Sequence, residues 1–453
     1  MHALAGLALL LFVAAAPLVA QSKRIQVPYT ADTLPNGLIL VVHEDHSTPV
    51  VTLNTLRRVG SADEKPGRTG FAHLYEHLMF MGSEHAPYPQ FDRLLEAAGA
   101  NNNGYTTGDR TVYFEWGPSN ALPLMLWLEA DRTGWVLSTM DSAKVALQRD
   151  VVKNERRQRV ENEPYGLADE TILGMLYPKG HPYRWPVIGS MADLSAASLE
   201  DVKEFFRRYY APDNTTIVVA GDVKADSVRR LVRGYFEQIP RGPSITRPTL
   251  PAFTLGRDTI TTLEDRVQLP RLYYNWHTVK RGHPDDAPLQ ILAYILTGAK
   301  NARLTQPMVY EKQIATDVET FPDHQRLDGD FTIQATARPG KALPELQAFV
   351  DKELARIAKA GPSARELQQA KNATEASFLE RLEQVREKAE EMNQYLYYEG
   401  EADYFQKDLD RFLAVTAKDV QRVAQQYLTA PKAILSIVPE GKRDLAARMA
   451  AQP

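Results

Sequence analysis

The chain has 453 residues, 44% of them hydrophobic and 24% charged, with a net charge of −4. That length exceeds the ~100–200 residues of an ordinary domain and predicts at least two, while the mixed, slightly acidic charge excludes nucleic-acid binding. There is no cysteine, which excludes disulfides, thiolate metal ligands, cysteine nucleophiles and a lipid-modified N-terminal cysteine; any metal must be held by histidine and carboxylate.

Residues 1–20, MHALAGLALLLFVAAAPLVA, form an apolar run that ends in small residues before QSKR. They predict a signal peptide cleaved near Ala20, and so a periplasmic or secreted protein. No Lys or Arg precedes Lys23, and an uncleaved membrane anchor is the alternative. Nothing further along approaches the ~20 apolar residues of a spanning helix.

In residues 21–240 an Asn36-Gly37 turn feeds a β-rich run, VVTLNTLRRVG supplies a second strand and TVYFEWG, from Thr111 to Gly117, a third. GFAHLYEHLMFM, bounded by Gly70 and Gly82, predicts one helix of about three turns. A longer helical run extends from Asp141 to about Glu163 and stops at Pro164. The basic cluster Arg156 to Arg159 is interleaved with Glu155, Glu161 and Glu163 and reads as a solvated helix face.

A proline-rich linker, residues 241–258 in the run PRGPSITRPTLP and beyond, separates this part from residues 259–453. The two parts repeat each other. SLEDVKEFFRRYY starts at Ser198 and TAKDVQRVAQQYL at Thr416, 218 residues later. Each opens on a helix-start box, Ser198 with Asp201 and Thr416 with Asp419. Each leads into an apolar strand, NTTIVVAGD or KAILSIVPEG. The pattern predicts a duplicated α+β protein of two tandem homologous α/β-sandwich domains, each a largely antiparallel sheet covered by helices.

His73 and His77 are four apart and therefore share one helix face, with Glu76 on the neighbouring flank. His-x-x-Glu-His is a zinc-site signature. With 10 His and 57 acidic residues, on the order of 0.03 such matches arise by chance, so the pentapeptide is suggestive alone. A pair of ordinary helix histidines, one buried and hydrogen-bonded, is the alternative.

GFAHLYEHLMFMGS, GANNNGYTTGDRTVYF and DVVKNERRQRVENEPYG, with GHPYRWPVIGS and YYAPDNTTIVVAGDV after them, resemble the pitrilysin family of zinc peptidases. That family includes insulin-degrading enzyme and mitochondrial processing peptidase, and the resemblance spans the whole chain after residue 20 in order and spacing. It implies one zinc ion held by His73, His77 and Glu155, the last lying 78 residues beyond His77. It also implies Glu76 as the general base that takes a proton from the attacking water and passes it to the leaving amine. Gln148 stands where the family carries a glutamate, and is expected behind the ligands as a hydrogen-bonding side chain without charge. NNNGYT matches the family's edge strand, which makes Asn103 and Gly104 candidate contacts to a peptide substrate; a polar turn before a strand is the other reading of them.

The remaining histidines are not read as ligands. His43 and His46 belong to a polar strand end, His181 to a loop, and His85, His277, His283 and His324 lack partners at usable spacing. Aligned through Gly82 and Gly298, the second half places Leu289, Leu292 and Ala293 opposite His73, Glu76 and His77, so it carries no metal site. Where full-length relatives carry an arginine and a tyrosine seven apart, this chain has Val309 and Thr316. The resemblance thus implies the catalytic subunit of an endopeptidase for peptides or unfolded segments, working as a heterodimer with a family-like subunit that supplies the missing pair. A non-catalytic scaffold and a peptide-binding subunit are the competing readings.

Overall fold

Asn36-Gly37 makes the expected turn, with Gly37 at φ 91°, and sends the chain into the first of two sheets. The structure is a computed structural model that describes residues 24–247, 250 and 253–448; the expected signal peptide and part of the expected linker lie outside the described residues. The first sheet is built from β1 (Thr30–Thr33), β2 (Ile39–Glu44), β3 (Val50–Arg57), β4 (Asn101–Thr106), β5 (Thr111–Pro118) and β6 (Thr215–Gly221), in the order β1-β2-β6-β3-β5-β4. The second holds β7 (Thr259–Asp265), β8 (Arg271–His277), β9 (Ala315–His324), β10 (Gly329–Ala337) and β11 (Ala433–Pro439), in the order β7-β11-β8-β10-β9.

The repeat is exact in topology once β1 is set aside. β2 pairs with β6, and β7 with β11, in parallel; every other neighbouring pair in both sheets is antiparallel. The first half adds helices α1 (Phe71–Leu78), α2 (Gln90–Ala97), α3 (Leu122–Trp135), α4 (Ser142–Arg156), α5 (Ala168–Leu176), α6 (Met191–Ala196), α7 (Leu199–Tyr209) and α8 (Ala225–Phe236). The second adds α9 (Asp286–Thr297), α10 (Leu343–Ala360), α11 (Ala364–Glu383), α12 (Val385–Glu399), α13 (Phe405–Ala414) and α14 (Ala417–Tyr427). Both helix-start boxes form, at the N-termini of α7 and α14. No helix among the described residues is long and apolar enough to cross a membrane.

Strand alternation shows that both faces of each sheet are buried. Leu40, Val42, Ile217 and Val219 face helices α3 and α8 of their own half. Val41, Val218 and Ala220 face the other way, against Ala389, Met392 and Tyr395 of α12 and Phe405 and Leu409 of α13. The second sheet is covered reciprocally: Tyr274, Trp276 and Ile434 pack on α9, α10 and α14, while Tyr273, Leu435 and Ile437 pack on Ile172 and Leu176 of α5. Each half therefore lends a helix to the other's sheet, and a cut at the linker would open both cores.

Three expectations are revised in detail. The metal-motif helix α1 is eight residues long rather than three turns, because the chain leaves it after Leu78 and turns at Gly82, φ 81°. The long helix closes with a wide π turn, Arg157–Glu161, after α4. The basic cluster is only partly solvated, since Arg156 is buried and its guanidinium bonds Gly189 O and Glu170.

Behind the site, Arg57 and Arg132 lie fully buried with Glu129 and Glu115. Arg57 bonds Glu129 at 2.9 Å, and Arg132 bonds Glu129 at 2.6 Å and Glu115 at 2.8 Å. Arg132 also stacks beneath Tyr113 and Phe80, 4.6 and 5.4 Å from their ring centres, in contact with the layer that carries α1.

Candidate metal centre

Helix α1 buries Phe71, Leu74, Tyr75 and Leu78, an i, i+3, i+4, i+7 stripe, against Val145 and Val152 of α4 and Val202 and Phe206 of α7. That stripe turns His73, Glu76 and His77 to another face. The start of α1 is fixed from two sides. Gly70 sits at φ 86°, where a Cβ would come within 2.7 Å of Ile188 O. Buried Glu64 accepts the N–H groups of Gly70 at 3.0 Å and Ala72 at 2.8 Å, satisfying donors that a helix N-terminus leaves free.

On α4, Val145 and Val152 face α1, and Glu155, one turn beyond Val152, extends the same side toward the histidines. The result is a convergence of three donors. Glu155 Oε2 lies 3.3 Å from His77 Nε2 and 3.7 Å from His73 Nε2, and one ligand atom from each residue falls within 4.8 Å of the others. No second group of three such side chains converges among the described residues. The two imidazoles stand nearly perpendicular, their centroids 4.8 Å apart.

Burial first, then the charges of His77 and Arg159, push the His73 imidazole down to about 4. The neighbouring His77 ring holds the Glu155 carboxyl below its usual range, against the opposing effect of burial. His73, His77 and Glu155 thus bring one donor atom each to a single spot. Tetrahedral zinc with bonds of ~2.0–2.1 Å separates its ligand atoms by roughly 3.3–3.4 Å; Glu155 Oε2 stands at 3.3 Å from His77 Nε2 and 3.7 Å from His73 Nε2. Two nitrogens and one oxygen fit zinc and leave one position open, the arrangement of a catalytic site.

Glu76 is half-buried, and burial raises its carboxyl above the usual range; the hydrogen bond from Thr106 is the largest opposing influence. Thr106 Oγ1 donates to Glu76 Oε2 at 2.6 Å. Thr106 ends β4, the outermost strand of the first sheet. Asn103 and Gly104 lie on that same edge strand, which replaces the polar-turn reading of them. Gly104 approaches α1 closely: a Cβ there would stand 3.4 Å from Glu76 Cγ and 3.2 Å from the Tyr113 ring. Gly104 N–H donates to the Asn103 side chain at 2.8 Å.

Gln148 takes a different place from the one expected. Its amide nitrogen reaches Met81 Sδ at 2.7 Å and bonds no ligand side chain, while His73 Nδ1 is buried without a partner. The carboxylate oxygen of Glu155 that faces away from the histidines is taken instead by Arg159, at 2.6 Å. Neither Thr106 nor Arg159 stands out in the sequence. Thr106 is a threonine in a strand, and Arg159 sits in a run that reads as surface; the i, i+4 spacing from Glu155 was the one available signal for it.

The other histidines within the described residues serve local structure. His43 bonds Pro28 O, His46 Asp222, His85 Asp131 and His324 Val279 O; His277 bridges Asp328 and Leu176 O. His181 accepts from Tyr183 N–H and His283 from Asp285 N–H. In the second half Val309 lies in a π turn, Gln306–Glu311, with its carbonyl bonded by Arg338 at 3.3 Å. Thr316 lies on β9, the counterpart of β4, and its hydroxyl is 2.7 Å from Asp317 Oδ2.

Two family models match the chain. One, described as Insulinase (Peptidase family M16), covers residues 39–179 and so includes His73, Glu76, His77 and Glu155; the other, Peptidase M16 inactive domain, covers residues 196–374. The zinc protease PqqE of Helicobacter pylori is 29% identical over 404 residues, 87% of this chain and 89% of its own length. A probable mitochondrial-processing peptidase subunit beta of Arabidopsis thaliana is 24% identical, over 91% of this chain and 79% of its own. Among solved structures, a protease from Helicobacter pylori superposes with a TM-score of 0.86 at 26% identity, covering 91% of this chain and 99% of that one.

Proposed function

Because the chain belongs to peptidase family M16, we propose that it is the catalytic subunit of a zinc-dependent endopeptidase acting on peptides or unfolded segments. One observation carries the reading: His73, His77 and Glu155 converge on one point while Glu76, half-buried and hydrogen-bonded, stands on the adjacent flank of the same helix. The names of relatives, zinc protease PqqE among them, support the peptidase class and the metal.

His73, His77 and Glu155 would hold the zinc ion, which when bound supplies a Lewis acid and lowers the pKa of water toward neutrality. Glu76 has Oε2 engaged by Thr106, and Oε1 has no partner among the described residues. That free oxygen takes a proton from the attacking water and returns it to the leaving amine. The outer edge of β4 pairs with an extended peptide through backbone groups near Asn103 and Gly104, which restricts substrates to segments that can present a strand.

The same proposal extends to assembly. Val309 has an apolar side chain and Thr316 is turned to its neighbour Asp317, so neither offers a donor for the developing oxyanion. A family-like partner that lacks the His-x-x-Glu-His motif and carries an arginine and tyrosine completes the chamber. A periplasmic or secreted location belongs to the proposal as well, on the strength of the apolar stretch at residues 1–20.

The test is cleavage of a quenched peptide by the purified chain, before and after chelation and zinc repletion, with and without such a partner. Zinc-dependent cleavage that rises steeply with partner supports both parts. Full activity from the lone chain, unchanged by any partner, removes the heterodimer, and cleavage indifferent to chelation removes the zinc peptidase.

A further inference from the structure

We propose that Thr106 is the positioning residue of Glu76: its hydroxyl fixes the carboxylate with one oxygen engaged and the other presented to the attacking water. The inference rests on the reading of Glu76 as general base.

A glutamate on a helix of eight residues has three rotatable side-chain bonds, and α1 alone does not choose among its rotamers. The choice is made from β4. Neighbouring strand residues point to opposite faces, and here each face is held. Thr106 points to α1 and donates to Glu76 Oε2 at 2.6 Å. Tyr105 points the other way, and its hydroxyl bonds Glu390 on α12 of the metal-free half. Beside it Arg110, in the turn between β4 and β5, donates to Tyr398 on the same helix at 3.0 Å.

The direction of the Thr106 bond is also determined. Its hydroxyl proton has two acceptors in reach, Glu76 Oε2 at 2.6 Å and Thr111 Oγ1 at 3.4 Å. Thr111 donates its own proton to Val59 O at 2.9 Å. The nearer, charged acceptor takes the Thr106 proton, because a hydrogen bond to a carboxylate is about twice as strong as one between neutral groups. Gly104 completes the fit, since it lets β4 lie against the Glu76 stem where any side chain would be tight.

The experiment compares Thr106→Val and Thr106→Ser in the zinc-loaded protein, reading kcat, KM, bound zinc and melting temperature. Thr106→Val should lower kcat by about 10–100-fold, the range for one hydrogen bond to a charged group. KM and zinc content should stay near those of the parent. Thr106→Ser, which keeps the donor, should recover most of the loss. In a Glu76→Gln background Thr106→Val should cost less than about twofold more, since the group it positions is gone. Should the valine variant not fold, Thr106→Ala replaces it in each comparison. A kcat within twofold of the parent in the valine or alanine variant, a serine variant no better than either, or equal losses in both backgrounds would overturn the proposal. Glu76→Gln retaining activity would instead remove the general-base reading beneath it.

Discussion

Asn393, in the middle of α12, donates its amide to both the carbonyl and the side-chain oxygen of Asn54 in β3, at 3.1 and 2.7 Å. The two residues are 339 positions apart, fully buried, and belong to opposite halves of the repeat. A polar pair at such a place fixes how α12 registers on the foreign sheet. Asn393→Leu should leave the buried side-chain oxygen of Asn54 without its donor, while the Asn54 amide keeps Glu390 at 2.6 Å, and destabilise the protein by about 1–3 kcal/mol, measured by urea unfolding. Residues 24–247 expressed alone should fail to give a folded, soluble product, because Val41, Val218 and Ala220 would be uncovered. A stable isolated first half would contradict this mutual folding.

The buried Arg57–Glu129–Arg132–Glu115 group makes a second prediction. Glu129→Gln leaves two guanidinium groups buried with reduced compensation, and removing one partner of such a group typically costs about 3–5 kcal/mol. Equilibrium unfolding should show a loss of that size. A change below about 1 kcal/mol would mean that water reaches the arginines.

These two features show where sequence reasoning stops. Local spacing exposed the elements that are local: the i, i+4 pair His73 and His77 on one helix face, the Asn36-Gly37 turn, and the boxes at Ser198 and Thr416. It could not expose pairings that join distant segments. β2 lies parallel to β6, and α12 lies on β3, because of closure of the whole chain, and no short window carries that information. The same limit hid Thr106, whose importance comes from the strand's approach to α1. Gln148, expected from the family's spacing to stand behind the ligands, directs its amide to Met81 in this structure.

A pH dependence follows from Glu366, at the start of α11. Arg303 bonds both of its oxygens, at 2.6 and 2.8 Å, and with the Ser363 cap holds its carboxyl down at about 2, from an ordinary 4.5. A depressed carboxylate stabilises the fold above its unfolded pKa, and the contribution fades as pH falls through the folded one. The stability gap between the parent and Glu366→Gln should therefore be full at pH 6 and above, and shrink steadily from pH 4.5 toward 2. Urea midpoints for the two proteins across that range check it; a gap that widens on acidification would contradict the assignment.

Metal content tests the ligand set directly. His77→Ala removes one of three donors, and the purified variant should retain little zinc at micromolar free metal while keeping its melting behaviour in chelator. Arg159→Gln removes only the outer partner of Glu155, so its affinity should fall by roughly 10–100-fold, as for other groups that orient a ligand. Unchanged zinc in His77→Ala would mean that the ligands lie elsewhere.

The most direct measurement is turnover of a quenched peptide by Glu76→Gln, with zinc and folding verified in the same sample. The glutamine keeps the size of the side chain and can still accept from Thr106, but it cannot carry a proton from water to the leaving amine. Turnover should fall by at least roughly 10²-fold with zinc content unchanged. Near-parental turnover in a fully zinc-loaded Glu76→Gln protein would contradict the assignment of this site as a peptidase centre with Glu76 as its base.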